Sequence, residues 1–299
     1  MIHVYIFCEK SKKIGLGHYY RSLNLKNVLK NNFIIKHFTN LNENQIRKKI
    51  FNIKEKSIVI FDFKNYKKKF FFKNDKVFYI TFDANKKFKN VKINFEPLNF
   101  NSKNYYSGPK CHIMPEVKKI LPDKFNNINK NILIYQGGTD AHNTLNKICK
   151  VFIKDDFFNK NNFKFYVKTP KKNYLLKSTI LSQNFFEISP RKNFFNQLNF
   201  FDFAVVSVGN IAIELGFLGI PCIYTSNEPN EIKRGRFLHR LKIGKFFKSN
   251  RLIDFNTELK KLLQNKKSLI KLKKKQFNFF KDKEINYITI LKKVYYEKI

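Results

Sequence analysis

The stretch Ser57-Ile58-Val59-Ile60-Phe61-Asp62 constrains the fold most: it is an unbroken apolar run, too short for a helix, rich in β-branched residues and ended by an acid. A strand reads as continuously apolar, rather than alternating, when both of its faces are covered. The same signature recurs at residues 2–7, at 77–82 before Asp83, and at 131–135. Helical stretches separate the runs. The chain therefore reads as α/β, with parallel sheets covered by helices on both faces.

The residues just after each run matter as much as the run itself. The first run leads into Gly15-Leu16-Gly17-His18-Tyr19-Tyr20-Arg21, and the run at 131–135 leads into Gln136-Gly137-Gly138-Thr139-Asp140. Glycines at a strand-to-helix turn let backbone approach a ligand and aim amide N–H groups at it, which suits an anion. Further strands are expected at 33–37, 163–168, 184–189, 202–207 and 221–225. Helices are expected over 21–29, from about 144, from Gly209 to Gly219, and as one amphipathic helix over 260–275. In parallel sheets the carboxyl ends of the strands form the ligand crevice. Asp62 and Asp83 fall there, although capping a following helix is the simpler role for each. The pattern breaks at 105–110 and turns polar over 122–131, which divides the chain into a first domain at 1–108 and a second at 109–299. The last helices are allowed to pack back on the first domain.

With 299 residues the chain can bury a sizeable core, or two. The formal net charge of +38 would ordinarily point to nucleic acid. Lysine supplies 53 of the 60 basic residues, however, and is spread along the whole chain. Asn, Phe, Ile and Tyr are also abundant, and all five have codons rich in A and T, so base composition accounts for the charge. A specific nucleic-acid partner is not expected. No apolar run approaches the roughly 20 residues of a membrane span, which leaves peripheral membrane contact at most. The start lacks a signal-peptide pattern and the four cysteines form no CxxC pair, so a cytoplasmic protein with reduced thiols is expected. Nothing in the histidine spacing calls for a metal, and no cofactor is expected.

The motifs in combination resemble a known family. Gly15-x-Gly17-His18-x-x-Arg21, Tyr106-Ser107-Gly108-Pro109-Lys110, Gly137 through Thr144, and the block from Ser207 to Pro221 look like the UDP-sugar hydrolase of pseudaminic acid biosynthesis. That family is similar in turn to the murein lipid glycosyltransferase and other GT-B proteins. The resemblance covers the chain to about Phe247. It implies two doubly wound Rossmann-like domains facing across a cleft, and a UDP-sugar substrate. UDP would sit mainly on the second domain, with Glu214 accepting from the ribose hydroxyls and the diphosphate near Gly209 and Asn210. Gly137, Gly138, Thr139, Asp140 and Asn230 would line the same site. His18 would be the base, with Gly15, Gly17 and Arg21 beside the sugar and diphosphate. An imidazole is suited to taking a proton from an attacking hydroxyl at neutral pH.

For Arg21, a helix-surface ion pair fits the sequence equally well. The family pattern is also broken in two places: Ser207-Val208-Gly209-Asn210-Ile211-Ala212 lacks a second glycine and a hydroxyl, and an Asn-Gln pair stands as Asn230-Glu231. Three alternatives stay open: an inverting GT-B glycosyltransferase with a sugar hydroxyl as acceptor, a basic nucleic-acid-binding protein, and a catalytically inactive sugar-nucleotide binder.

Overall fold

A computed structural model describes residues 1–10, 16–114, 130–138, 140, 142–171, 174–175, 183–188, 194–226, 228–248, 251–281 and 285–296. The chain divides into two compact units: Met1–Glu116 with Lys283–Ile299, and Val117–Asp282.

The first unit is a five-stranded sheet of β1 (His3–Cys8), β2 (Ile34–Thr39), β3 (Ser57–Asp62), β4 (Val77–Phe82) and β5 (Val91–Phe95) in the order β2-β1-β3-β4-β5. Every pairing is parallel. β3 is buried along its whole length, and its residues alternate between two cores. Ile58 and Ile60 face Leu25 and Leu29 of α1 (Gly17–Leu29) and Ile290, Leu291 and Val294 of the chain's last described helix. Val59 and Phe61 face Ile46 and Ile50 of α2 (Glu43–Phe51) together with Tyr66, Phe70 and Phe71. An apolar side chain at every position is what a strand with two covered faces requires. The Tyr106–Lys110 motif serves this unit structurally: Ser107 Oγ donates to the Glu96 carboxylate at 2.8 Å and Gly108 N to the Glu96 carbonyl at 3.0 Å.

The second unit is a six-stranded sheet of β6 (Asn131–Tyr135), β7 (Lys164–Lys168), β8 (Phe185–Ile188), β9 (Phe203–Val206), β10 (Cys222–Ser226) and β11 (Lys245–Lys248). Its order is β11-β10-β9-β6-β7-β8, again all parallel. Around it lie α3 (Thr144–Ile153), α4 (Asp156–Lys160), α5 (Asn210–Phe217), α6 (Pro229–Arg240), α7 (Leu252–Gln264) and α8 (Lys266–Phe280). The helix of the first unit that comes after them, α9, is Tyr287–Tyr296.

The single helix expected over 260–275 is two helices. Asn265 ends α7 and caps α8, its Oδ1 accepting from Ser268 N at 3.0 Å, so capping chemistry overrides the continuous leucine stripe. β10 is tied to α8 by Gln276, whose side chain accepts from Cys222 N at 2.8 Å and donates to Cys222 O at 2.9 Å. The connecting stretch read at 122–131 lies, up to 129, outside the described residues. Among the described residues no helix is long and apolar enough to cross a membrane.

Candidate active site

In each sheet the chain leaves the first strand to one side and later returns on the other. Such a reversal opens a crevice at the carboxyl ends of the two strands concerned. In the first unit it lies between β1 and β3, and in the second between β6 and β9.

At the first reversal, α1 begins at Gly17 with no side-chain cap, which places His18 in its opening turn. Register pairs Cys8 with Asp62, so Asp62 ends β3 beside the place where β1 ends. His18 Nδ1 lies 2.6 Å from Asp62 Oδ1. Arg21, one turn further along α1, donates from Nε to Asp62 Oδ2 at 2.8 Å and from Nη2 to Oδ1 at 2.6 Å. Its remaining arm donates from Nη1 to Asp83 Oδ2 at 2.5 Å. Asp83 itself is held in left-handed backbone, φ 52°, with its N–H on Phe95 O. Asp62 and Arg21 are almost wholly buried, whereas a fifth of the His18 side chain remains exposed.

The charges follow from this geometry. Burial alone would raise the Asp62 carboxyl, but the Arg21 guanidinium and the hydrogen bonds from Arg21 and His18 outweigh it and hold the group below its ordinary range. For Arg21 burial opposes the charge, and the two carboxylates hold it firmly protonated. An ionised Asp62 can only accept, so the proton of a neutral His18 sits on Nδ1 and Nε2 is left as a base. Arg21 is therefore not the surface ion pair that the sequence allows; it is a buried clamp on two carboxylates. Asp62 does stand at a strand end, but it binds His18 instead of capping a helix. Gly15 lies outside the described residues.

At the second reversal, Gly137 takes φ 80° immediately after Gln136, and its position is 3.9 Å from Ser207 Oγ measured from an ideal Cβ. Gly209 is the N-cap of α5 and offers no side chain to it. Asn210 opens the helix and Glu214 lies one turn on, buried. Thr225 Oγ1 donates to Gln136 Oε1 at 3.0 Å. Two side-chain atoms here, Gln136 Nε2 and Asn210 Oδ1, are buried without a hydrogen-bond partner among the described residues.

Asp140 has a different role from its neighbours in the motif. Its carboxylate accepts from Thr144 N at 2.7 Å, Leu145 N at 3.1 Å and Tyr174 Oη at 2.9 Å, so it already occupies the start of α3. Burial pushes this carboxyl up, against the hydrogen bonds that pull it down. Of the two helix starts near this crevice, α5 is the one no carboxylate caps. Gly138 and Asn230 are exposed, as is His142, and Thr139 lies outside the described residues. Sequence reasoning missed Gln136, Ser207 and Glu231 as members of this cluster. The broken Asn-Gln pair at 230 and 231 was the available signal for the last of them.

No protein-family model matches the chain, and no curated protein matches it in sequence. Solved structures do. Acinetobacter baumannii MurG is 12% identical with a TM-score of 0.63, over 98% of this chain and 100% of that one. An S. aureus MnaA–UDP co-structure is 12% identical with a TM-score of 0.60, over 95% of this chain and 93% of that one. The spinosyn rhamnosyltransferase SpnG is 8% identical with a TM-score of 0.69, over 97% of this chain and 99% of that one. The chain has the GT-B fold. Its two parallel sheets are the two Rossmann-like domains of that fold, and the clusters at His18 and at Gly209 stand at the carboxyl ends of their strands.

Proposed function

We propose that this GT-B chain is an enzyme that consumes a UDP-linked sugar. In its finer form the proposal is hydrolysis of a UDP-linked diacetamido-trideoxy sugar to UDP and free sugar, as in pseudaminic acid biosynthesis. The observation that carries it is the His18–Asp62 contact of 2.6 Å, backed by Arg21, at the reversal point of the first sheet. In the proposed step, a water oxygen bonds to the anomeric carbon while His18 Nε2 takes its proton. The bond to the diphosphate breaks with its electron pair on UDP, and the anomeric centre inverts. Asp62 stabilises the imidazolium that forms.

The nucleotide is assigned to the second unit, with the diphosphate at the start of α5 and the ribose hydroxyls on Glu214. A helix N-terminus with glycine at its cap favours an anion. The MnaA–UDP co-structure supports a uridine nucleotide, and the motif resemblance supports water as acceptor. Passing the sugar to another hydroxyl would use the same base, and a rhamnosyltransferase stands among the neighbours.

Following free UDP from UDP-linked 2,4-diacetamido-2,4,6-trideoxy sugars, with and without added acceptor alcohols, tests both readings. Release that needs no acceptor is expected. His18→Gln should lower kcat by roughly 10²- to 10⁴-fold without moving the melting temperature. Release only in the presence of acceptor would make the chain a transferase. No release from any UDP-sugar would sink both.

A further inference from the structure

Glu231, the third residue of α6, turns its carboxylate back onto the carboxyl ends of β9 and β10. Ser226 Oγ donates to Oε2 at 2.6 Å, and the Ser207 hydroxyl supplies a second hydrogen bond. A Cβ on Gly209 would stand 3.5 Å from Oε1. An acid thus lies against the cap residue of α5, at the helix start to which the diphosphate is assigned. Among the described residues the charged groups facing it are Glu228, the N-cap residue of α6, and Arg234 within that helix, while β10 and the β9–α5 turn contribute the hydroxyls of Ser226 and Ser207. Arg234 is directed in part elsewhere, its Nε donating to Val208 O at 2.8 Å. At the first residue of α5, Asn210 Oδ1 is a buried acceptor that has no donor among the described residues.

An ionised carboxylate accepts hydrogen bonds and cannot donate one, and the same holds for a diphosphate. Two such groups at one helix start repel each other, and the surrounding desolvation strengthens the repulsion. One proton on the carboxyl removes the repulsion and supplies a donor.

We propose that Glu231 is a proton gate on the nucleotide site, which seats a sugar-nucleotide diphosphate only when this carboxyl has taken up one proton. The inference rests on the nucleotide reading given above and adds to it a pH dependence and a residue that sets it. Burial already pushes the Glu231 carboxyl above its ordinary range, with Glu228 adding to the rise; Ser226, Arg234 and Ser207 pull it down without cancelling it. The proton is therefore within reach before ligand arrives. A bound diphosphate would raise the group further.

The test is calorimetric titration of the full chain with UDP-N-acetylglucosamine from about pH 5.5 to 8.5. This diphosphate is esterified at both ends, so it lacks the phosphate monoester proton that titrates near pH 6. Two buffers of different ionisation enthalpy count the protons. Uptake approaching one proton is expected on the alkaline side, where affinity should fall by up to about tenfold per pH unit. Glu231→Gln should bind with a flat pH profile, at least roughly tenfold tighter than the native chain at pH 8.5 and about equally at pH 5.5. Native binding that is flat with no proton uptake overturns the gate and leaves the nucleotide site standing. Weaker binding by Glu231→Gln at every pH does the same, since it makes the carboxylate a ligand acceptor. No binding by either protein at any pH overturns the site and the gate together. Should Glu231→Gln fail to fold, the proton count on the native chain decides alone.

Discussion

At the carboxyl end of the first sheet the charges close on one another: Asp62 is held by Arg21 and His18, Arg21 by Asp62 and Asp83, and His18 and Asp83 keep about a fifth of their side chains exposed while Asp62 and Arg21 do not. The corresponding end of the second sheet is built from small and neutral groups, Gly137, Ser207, Gly209 and Ser226. Gln136 Nε2 and Asn210 Oδ1 there are left without partners among the described residues, and two acids, Asp140 and Glu231, are pushed toward their neutral forms. One fold has thus made two kinds of site from the same reversal of strand order. The first is preorganised around His18, whose ring Asp62 holds at Nδ1. The second leaves Gln136 Nε2 and Asn210 Oδ1 without partners among the described residues, so water or a ligand can pair with them.

The contrast breaks most visibly if Asp62 is removed. Asp62→Ala leaves Arg21 buried with one carboxylate in place of two, and removing one member of a buried ion pair typically costs about 3–5 kcal/mol. Hydrogen exchange in β1 and β3 under increasing urea should show that loss in the first unit, with the second unit unchanged. A loss under about 1 kcal/mol would mean that the cluster is no more than an exposed ion pair. His18→Gln should leave exchange in both units as it is, which would separate the proposed base from the groups that hold it.

How much of this was legible depends on the same physics. β3, β4 and β6 are readable because both faces are covered, so each run is apolar throughout. β11, Lys-Phe-Phe-Lys at an edge of the second sheet, and β5, where Lys92 and Asn94 interrupt the run at an edge of the first, lack that signature and were missed. α2 carried a readable start in Asn42 and Gln45, which form a reciprocal capping box, but its mean polarity hid it. At the site, residue types and positions could be read while pairings could not. His18 and Asp62 are 44 residues apart, and only the strand register that sets Cys8 beside Asp62 brings them together. Arg21 shows the limit most plainly, since a surface ion pair and a buried double clamp give the same letter at the same helix position.

A smaller effect tests how the second site is held. α5 carries the Gly209 cap to which the proposal assigns the diphosphate, and Gly216 near its other end lies under the Phe280 ring of α8, so close that an added Cβ would collide with the ring carbons. Phe280 is fully buried and cannot swing away. Gly216→Ala should therefore destabilise the second unit by about 1–3 kcal/mol through overpacking. It should also weaken sugar-nucleotide binding without altering the His18 cluster. If urea unfolding of the second unit is unmoved, the helix is not seated as rigidly as the site requires.

The smallest effect is a difference in acid sensitivity between the two units. Asp62 has a folded-state pKa below its unfolded value, so its contribution is fully present above about pH 4 and is lost as pH falls below that toward the folded value. Asp140 in the second unit has the opposite sign. Its folded-state pKa is raised, so its ionisation costs stability as pH rises past about 4, and protonation in acid restores it. Taking the protein from pH 5 to pH 3 should then loosen amide protection at the carboxyl ends of β1 and β3 before it loosens the start of α3. Asp62→Asn should erase the acid response of the first unit, and Asp140→Asn should leave that response intact. Simultaneous loosening of both starts would show that the acid response belongs to the net charge of +38 and not to these two carboxylates.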